Sequence, residues 1–325
     1  MKNIRFFPHG CLVLGVLAGF VLSAQEPPLG EPGEQPKDAP FLLILGIAQD
    51  AGFPQAACKK KCCRAAWGDP SLQKNACSIA LVDPQSRGRW LFDITPDFKN
   101  QLHALDQVLA PVGDPGIDGI FLTHAHIGHY TGLMHLGREV MGAAAVPVHA
   151  MPRMKGFLET NGPWDQLVRL KNIRILGLQA LTATPLNDRL KVTPFAVPHR
   201  DEYSETVGFR IVGPRRSAVF IPDIDKWERW ETPIEEVVRS VDFAFLDGTF
   251  YHAAENPHRD MSEIPHPFIV ESMARFDSLP AGEKQKIIFI HLNHTNPALD
   301  PQSPEHQAIL AAGFGVARPF SRFYL

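Results

Sequence analysis

Thr123-His124-Ala125-His126-Ile127-Gly128-His129 places three imidazoles within six positions, directly after the apolar run Ile120-Phe121-Leu122. Side chains alternate along a strand, so His124 and His126 leave its end on one side, and His129, just past Gly128, can swing in from the turn. Neutral imidazole is the commonest biological metal ligand, and zinc-type sites take three or four such donors. A lone histidine would be read as a strand cap; three at this spacing predict a metal site. Four later strand ends offer matching donors: Val197-Pro198-His199, Phe220-Ile221-Pro222-Asp223, Phe245-Leu246-Asp247-Gly248-Thr249 and Phe289-Ile290-His291-Leu292-Asn293-His294. Each is an apolar run feeding a histidine or aspartate toward a shared rim.

The elements that must hold these residues follow from hydrophobic period. Phe41 to Ile47 reads as a buried strand, and Cys77 to Asp83 with Arg89 to Asp93 as a hairpin. Pro96 to Ala110 carries apolar residues at helical spacing, with Pro at the start where it is tolerated. The strand Gly119 to Leu122 precedes the histidine motif, and Leu133 to Met141 reads as a helix after it. Further strands are expected at residues 146–149, 173–176, 190–197, 206–212, 217–221, 243–246 and 287–291, with helices near 154–158, 165–170, 234–241, 267–276 and 304–312. Strands ending in donors, with helices between them, predict two packed sheets with helices outside.

The net charge of −3 argues against nucleic acid or an anionic membrane surface as partner. Lys2 and Arg5 precede the apolar or small run Cys11 to Ser23 and then Ala24-Gln25, the pattern of a secretory signal peptide too short to span a bilayer. Residues 25–40 are rich in Pro, Gly and Glu and are expected to be a disordered linker. The expected organisation is a signal peptide over 1–24, the linker over 25–40 and one domain over 41–325. The product would be secreted or periplasmic, without stable membrane association after cleavage. Its oligomeric state is left open.

The order H-x-H-x-x-H, lone His, strand-end Asp and late His resembles the metallo-β-lactamase superfamily. Gly52-Phe53-Pro54-Gln55 followed by cysteines, Ile94-Thr95-Pro96-Asp97, Leu246-Asp247-Gly248-Thr249-Phe250 and His291-Leu292-Asn293-His294-Thr295-Asn296-Pro297 look like the coenzyme PQQ synthesis protein B branch. That resemblance implies an α/β (α+β) fold, the αββα four-layer sandwich, with the metal site at one edge between the sheets. It also implies His124, His126 and His199 at a first metal, His129 and His291 at a second, and Asp223 bridging both.

Two features depart from that pattern. Gly128 stands where the superfamily has an Asp ligand of the second metal, and losing a carboxylate removes a donor oxygen and a compensating charge. The chain would then hold nearer one metal than two, with Gly128→Asp strengthening the second site. Alternatively Asp50, after the first strand, substitutes for the missing carboxylate; otherwise it is a turn residue ahead of Gly52. Cys58, Cys62, Cys63 and Cys77 are spaced C-x3-C-C-x13-C. Export favours two disulfides among them, and a four-thiolate structural zinc is the alternative. The lysines at 59–61 read as a solvated loop.

The chemistry these residues predict is metal-dependent hydrolysis of an ester, phosphodiester or amide-type bond in a small-molecule or peptide substrate. One or two Zn²⁺ would activate water. Asp223 is expected to hold metal and nucleophile, with His294 as leaving-group acid and His252 and His266 in reserve. His103, His135, His149, His258 and His306 read as structural or exposed. One rival is an iron-dependent hydroxylase related to pyrroloquinoline quinone biosynthesis, and the other is a non-enzymatic metal-binding protein.

Overall fold

In the computed structural model of the chain, residues 37–257 and 260–325 are described. The expected signal peptide, most of the linker and His258 lie outside them. The strands are β1 (Phe41–Gly46), β2 (Ser78–Asp83), β3 (Gly88–Phe92), β4 (Gly119–Phe121), β5 (Val146–Ala150), β6 (Ile173–Gly177), β7 (Thr184–Pro185), β8 (Lys191–Ala196), β9 (Val207–Val212), β10 (Ser217–Ile221), β11 (Phe243–Asp247), β12 (Ile287–Ile290), β13 (Gly315–Val316) and β14 (Arg322–Tyr324). They form two seven-stranded sheets, ordered β14-β1-β2-β3-β4-β5-β6 and β13-β12-β11-β10-β9-β8-β7. Helices cover the outer faces, which makes the αββα sandwich.

Alternation in β1 shows why the layers form. Leu42 and Ile44 point into a core shared with the other sheet, whereas Leu43 and Leu45 point outward against Phe98, Leu105 and Leu133. Between the sheets, Phe209 packs 5.4 Å from Phe92 and 5.6 Å from Phe121, ring centre to ring centre. These strands are apolar on both faces because both faces are buried, so they read as continuous runs rather than alternating ones.

Parallel pairings β3–β4, β10–β11 and β11–β12 send the ends of these strands to one edge of the sandwich. At that edge the sheets are stitched together. Leu292 N donates to Ile47 O at 2.7 Å and Gln49 N donates to Leu292 O at 2.9 Å. Val207 N likewise donates to Thr123 O at 3.1 Å. Asp50, Asp93 and His291, all at strand exits on this edge, adopt the left-handed backbone region (φ 30°, 63° and 67°). For non-glycine residues this is a costly conformation that the surrounding structure must impose.

Two local expectations are corrected. Leu133 to Met141 is not an α-helix; a 3-10 helix covers Thr131–Leu136, and Gly137 and Gly142 (φ 57°) interrupt further winding. Lys61 does not lie in a solvated loop but opens the α-helix Lys61–Gly68, which buries Cys63 and Ala66.

Candidate metal centre

Asp223, delivered by β10, stands in the middle of the rim. His124 Nε2 lies 3.3 Å from its Oδ2, His199 Nε2 3.2 Å from its Oδ1, and His126 Nδ1 3.9 Å from Oδ2. One donor atom from each of these four residues lies within 4.8 Å of the others. Asp50, His129 and His291 form a second such group. His129 Nε2 is 3.2 Å from His291 Nε2 and 3.5 Å from Asp50 Oδ1. Asp223 Oδ2, 3.9 Å from His129 Nε2, joins the two groups. The structure therefore brings together the expected ligands His124, His126, His129, His199, Asp223 and His291, with Asp50, and leaves His294 out of both groups.

The outward-facing nitrogens are held by partners the sequence did not single out. His129 Nδ1 donates to Asp93 Oδ2 at 2.7 Å, and His199 Nδ1 pairs with Asp225 Oδ1 at 3.2 Å. His126 Nε2 meets Glu202 Oε2 at 3.2 Å, and His291 Nδ1 meets the Thr249 hydroxyl at 3.0 Å. Thr123 donates its hydroxyl proton to Asp93, so the same oxygen accepts from His124 Nδ1 at 2.9 Å. That chain leaves the His124 Nε2 lone pair facing Asp223, the tautomer a metal needs. Asp93 ends the run Trp90-Leu91-Phe92 just as Asp223 ends its own, and this pattern was the one available signal for it.

Whether a dication fits can be tested on the donors themselves. His124 Nε2, His199 Nε2, Asp223 Oδ1 and Asp50 Oδ1 are all buried, and none makes a hydrogen bond. Buried polar atoms are nearly always satisfied; three of these orphans face one another in the first group and the fourth, Asp50 Oδ1, belongs to the second, an arrangement that fits a cation in each. Charge agrees with this. Burial alone would push His129 and His199 down, but Asp93 and Asp50 hold the first up at about 10 and Asp223 and Asp225 hold the second at about 9. Burial would raise Asp223, yet the charges of His199 and His266 keep it well below the usual carboxylate range. Positive charge is what this pocket of carboxylates requires.

His266, only a reserve candidate from sequence, is buried beside the centre. Its Nδ1 lies 2.8 Å from Asp247 Oδ2 and 3.1 Å from Asp223 Oδ1. It lines a cavity of about 410 Å³ together with Gln49, Lys60, Arg200, Phe250 and Asn293. His294 also lines that cavity, but its grouping is different. Its donor lies within 4.8 Å of the thiols of Cys58, Cys62 and Cys63. His252 instead caps a 3-10 turn, accepting from Ala254 N at 3.1 Å.

The cysteines correct both sequence expectations. All four thiols are free, so neither of the two expected disulfides is present. Cys77 is excluded from the other three because its strand entry carries it into the core between the sheets. Cys58, in the turn before the helix, and Cys62, in its first turn, have sulfurs 3.7 Å from each other, and His294 completes the group. Burial pushes Cys63 up to about 12, while Cys58 is pulled down against its burial by the Lys60 amide and neighbouring thiols. Three sulfurs and an imidazole are the donor set of a structural zinc site.

Residues 88–292 match the Beta-lactamase superfamily domain. Coenzyme PQQ synthesis protein B of Xanthomonas campestris pv. campestris is 28% identical over 306 residues, covering 85% of this chain and 97% of that protein. Among solved structures, Zn(2+)-bound PqqB from Methylobacterium extorquens superposes with a TM-score of 0.74 at 23% identity, covering 88% of this chain and all (100%) of that one. A diphosphatase from the PhnP family superposes with a TM-score of 0.60 at 22% identity, covering 88% and 97%. The chain belongs to the beta-lactamase superfamily, and over most of its length it is similar to coenzyme PQQ synthesis protein B.

Proposed function

We propose that this member of the superfamily is a metal-dependent hydrolase acting on an ester, phosphodiester or amide-type bond of a small molecule or peptide. The observation that carries the reading is the set of four buried, unpaired donor atoms at the rim. His124, His126, His199 and Asp223 would hold one dication, and His129, His291 and the shared Asp223 a second. A zinc-type ion, when bound, supplies Lewis acidity and lowers the pKa of water. The chain supplies orientation. Asp93, Asp225, Thr249 and Thr123 fix the histidine rings, and Asp247 fixes His266 at the wall of the cavity. From there His266, rather than His294, would hand a proton to a leaving group, since its Nδ1 is held by the Asp247 carboxylate at 2.8 Å.

The cavity's size suits a small molecule or peptide end, and Lys60 and Arg200 at its wall favour substrates carrying negative charge. Cys58, Cys62, Cys63 and His294 would hold a separate structural zinc. The rival reading, an iron-dependent oxidoreductase, draws on one observation: Asp50, His129 and His291 are two histidines and a carboxylate, the donor set of non-haem iron sites. The test is to purify the protein, measure zinc and iron, and assay both loaded forms against phosphodiester, lactone and amide substrates. Turnover by the zinc form is expected. Iron as the bound metal, with oxygen consumption and no hydrolysis, would overturn the hydrolase reading.

A further inference from the structure

Gly128, beside the centre, has no room for a side chain. A Cβ built on it would fall 2.3 Å from Asp50 Cα, 2.4 Å from Asp50 Oδ1 and 3.0 Å from Asp50 Cβ. Real Cβ atoms do not approach so closely, and Asp50 backbone cannot yield cheaply because Gln49 N is bonded to Leu292 O at 2.9 Å. Gly128 does not have the left-handed φ that usually explains a glycine; Asp50 does, at 30°. The glycine is therefore there for space, and Asp50 fills that space. We infer that Asp50 is a direct ligand of the second dication, grouped with His129 and His291, and that Gly128 is the accommodation that admits it.

Three further observations support this assignment. Asp50 Oδ1 is buried and makes no hydrogen bond, so the side chain is not acting as a turn-forming acceptor through that atom. The oxygen lies 3.5 Å from His129 Nε2, and the three donors fall within 4.8 Å of one another. The backbone beside it is stitched to Leu292, the neighbour of His291, so the oxygen and the imidazole come from chain segments already locked together. The inference rests on the metal-centre reading above and changes one expectation drawn from sequence. An aspartate restored at 128 would collide with Asp50 rather than add to the site.

The test uses the full-length protein stripped of metal and titrated with Co²⁺. Cobalt on the thiol group absorbs in a thiolate charge-transfer band that a nitrogen–oxygen site lacks, so the two populations are counted apart. Wild type should take up two nitrogen–oxygen-bound ions. Asp50→Asn, which keeps the volume and removes the charge, should weaken one of them by more than about 100-fold, beyond the 10–100-fold range typical of losing an outer partner. Gly128→Asp should lose the same ion, and Asp50→Gly/Gly128→Asp should regain it. Circular dichroism monitors folding, and if Gly128→Asp does not fold, Asp50→Asn decides alone. Two tightly held ions in Asp50→Asn, or a weakening inside that range, would overturn the assignment. No nitrogen–oxygen cobalt in wild type would instead overturn the metal-centre reading and this inference with it.

Discussion

The histidine–aspartate rim and the thiol group both gather metal-type donors within 4.8 Å, but they are built differently. At the rim the donors sit on loops at strand exits, except His129 in the one-turn helix Ile127–Tyr130, and each imidazole has its outward nitrogen held by an oxygen. The thiols sit on a turn and a short helix, Lys61–Gly68, whose first turn carries no acidic residue and no side-chain cap. Sulfur contacts there are 3.7 and 4.0 Å, weak by any standard. The rim is therefore preorganised by the fold, whereas the thiol group would rely more on an ion to fix its own segment. A metal should be catalytic equipment at the first and structural cement at the second.

The largest effect that could break this contrast is at the rim. Replacing His124 and His126 with Ala should abolish metal binding there and lower hydrolysis by more than about 1000-fold, the upper end for removing one electrostatic group. The fold should survive, because the sheets are held by apolar packing. Elemental analysis and a thermal melt check both halves, and unchanged metal stoichiometry would remove the rim from the assignment. Next, Cys63→Ser should release the thiol-bound ion and lower the melting temperature by on the order of 5 °C, about 1–3 kcal/mol for a chain this long. The ions at the rim should stay. Equal loss from both sites would show that they are one cooperative unit.

The smallest effect concerns acid, and it separates the scaffold from either site. His149 on β5 stacks on Phe121 with ring centres 4.2 Å apart, and burial, aided by the Arg174 charge, holds it down at about 4 against an ordinary 6.5. Between those values the unfolded chain binds a proton that the folded chain does not, so stability is lost as pH falls from about 6.5 to about 4. His149→Phe should flatten that part of the curve, with a gain on the order of 3 °C at pH 5 relative to wild type. Parallel curves for the two proteins would place the acid sensitivity elsewhere, in the rim's own histidines.

Much of the rim was legible because its donors follow apolar runs. His124, His199, Asp223 and His291 are each announced by the strand before them, and the sandwich follows from the same runs. What was not legible is who meets whom. The pairing of His129 with Asp93 spans 36 residues, and that of His126 with Glu202 spans 76. Glu202 carries no local mark, and Asp93 carries only its place at the end of an apolar run. The helix Lys61–Gly68 was missed because two adjacent cysteines and a lysine run show no apolar period. Strands β13 and β14, of two and three residues, are too short for any periodicity to appear. His294 was misgrouped because its nearness to His291 in sequence says nothing of the three thiols that reach it from another loop.

The stitch between Ile47, Gln49 and Leu292 bears on how the molecule matures. The donors come from both sheets: His124, His126, His129 and Asp50 from one, His199, Asp223 and His291 from the other. Neither half of the chain can assemble the set by itself, and residues 47 and 292 must find each other across nearly the whole sequence before the last ligands align. An ion with full affinity can therefore be captured only by a chain whose sandwich has already closed. If the rim is loaded as proposed, loading would come late, after the sheets have closed, and half-folded molecules would have no complete site with which to hold a reactive metal.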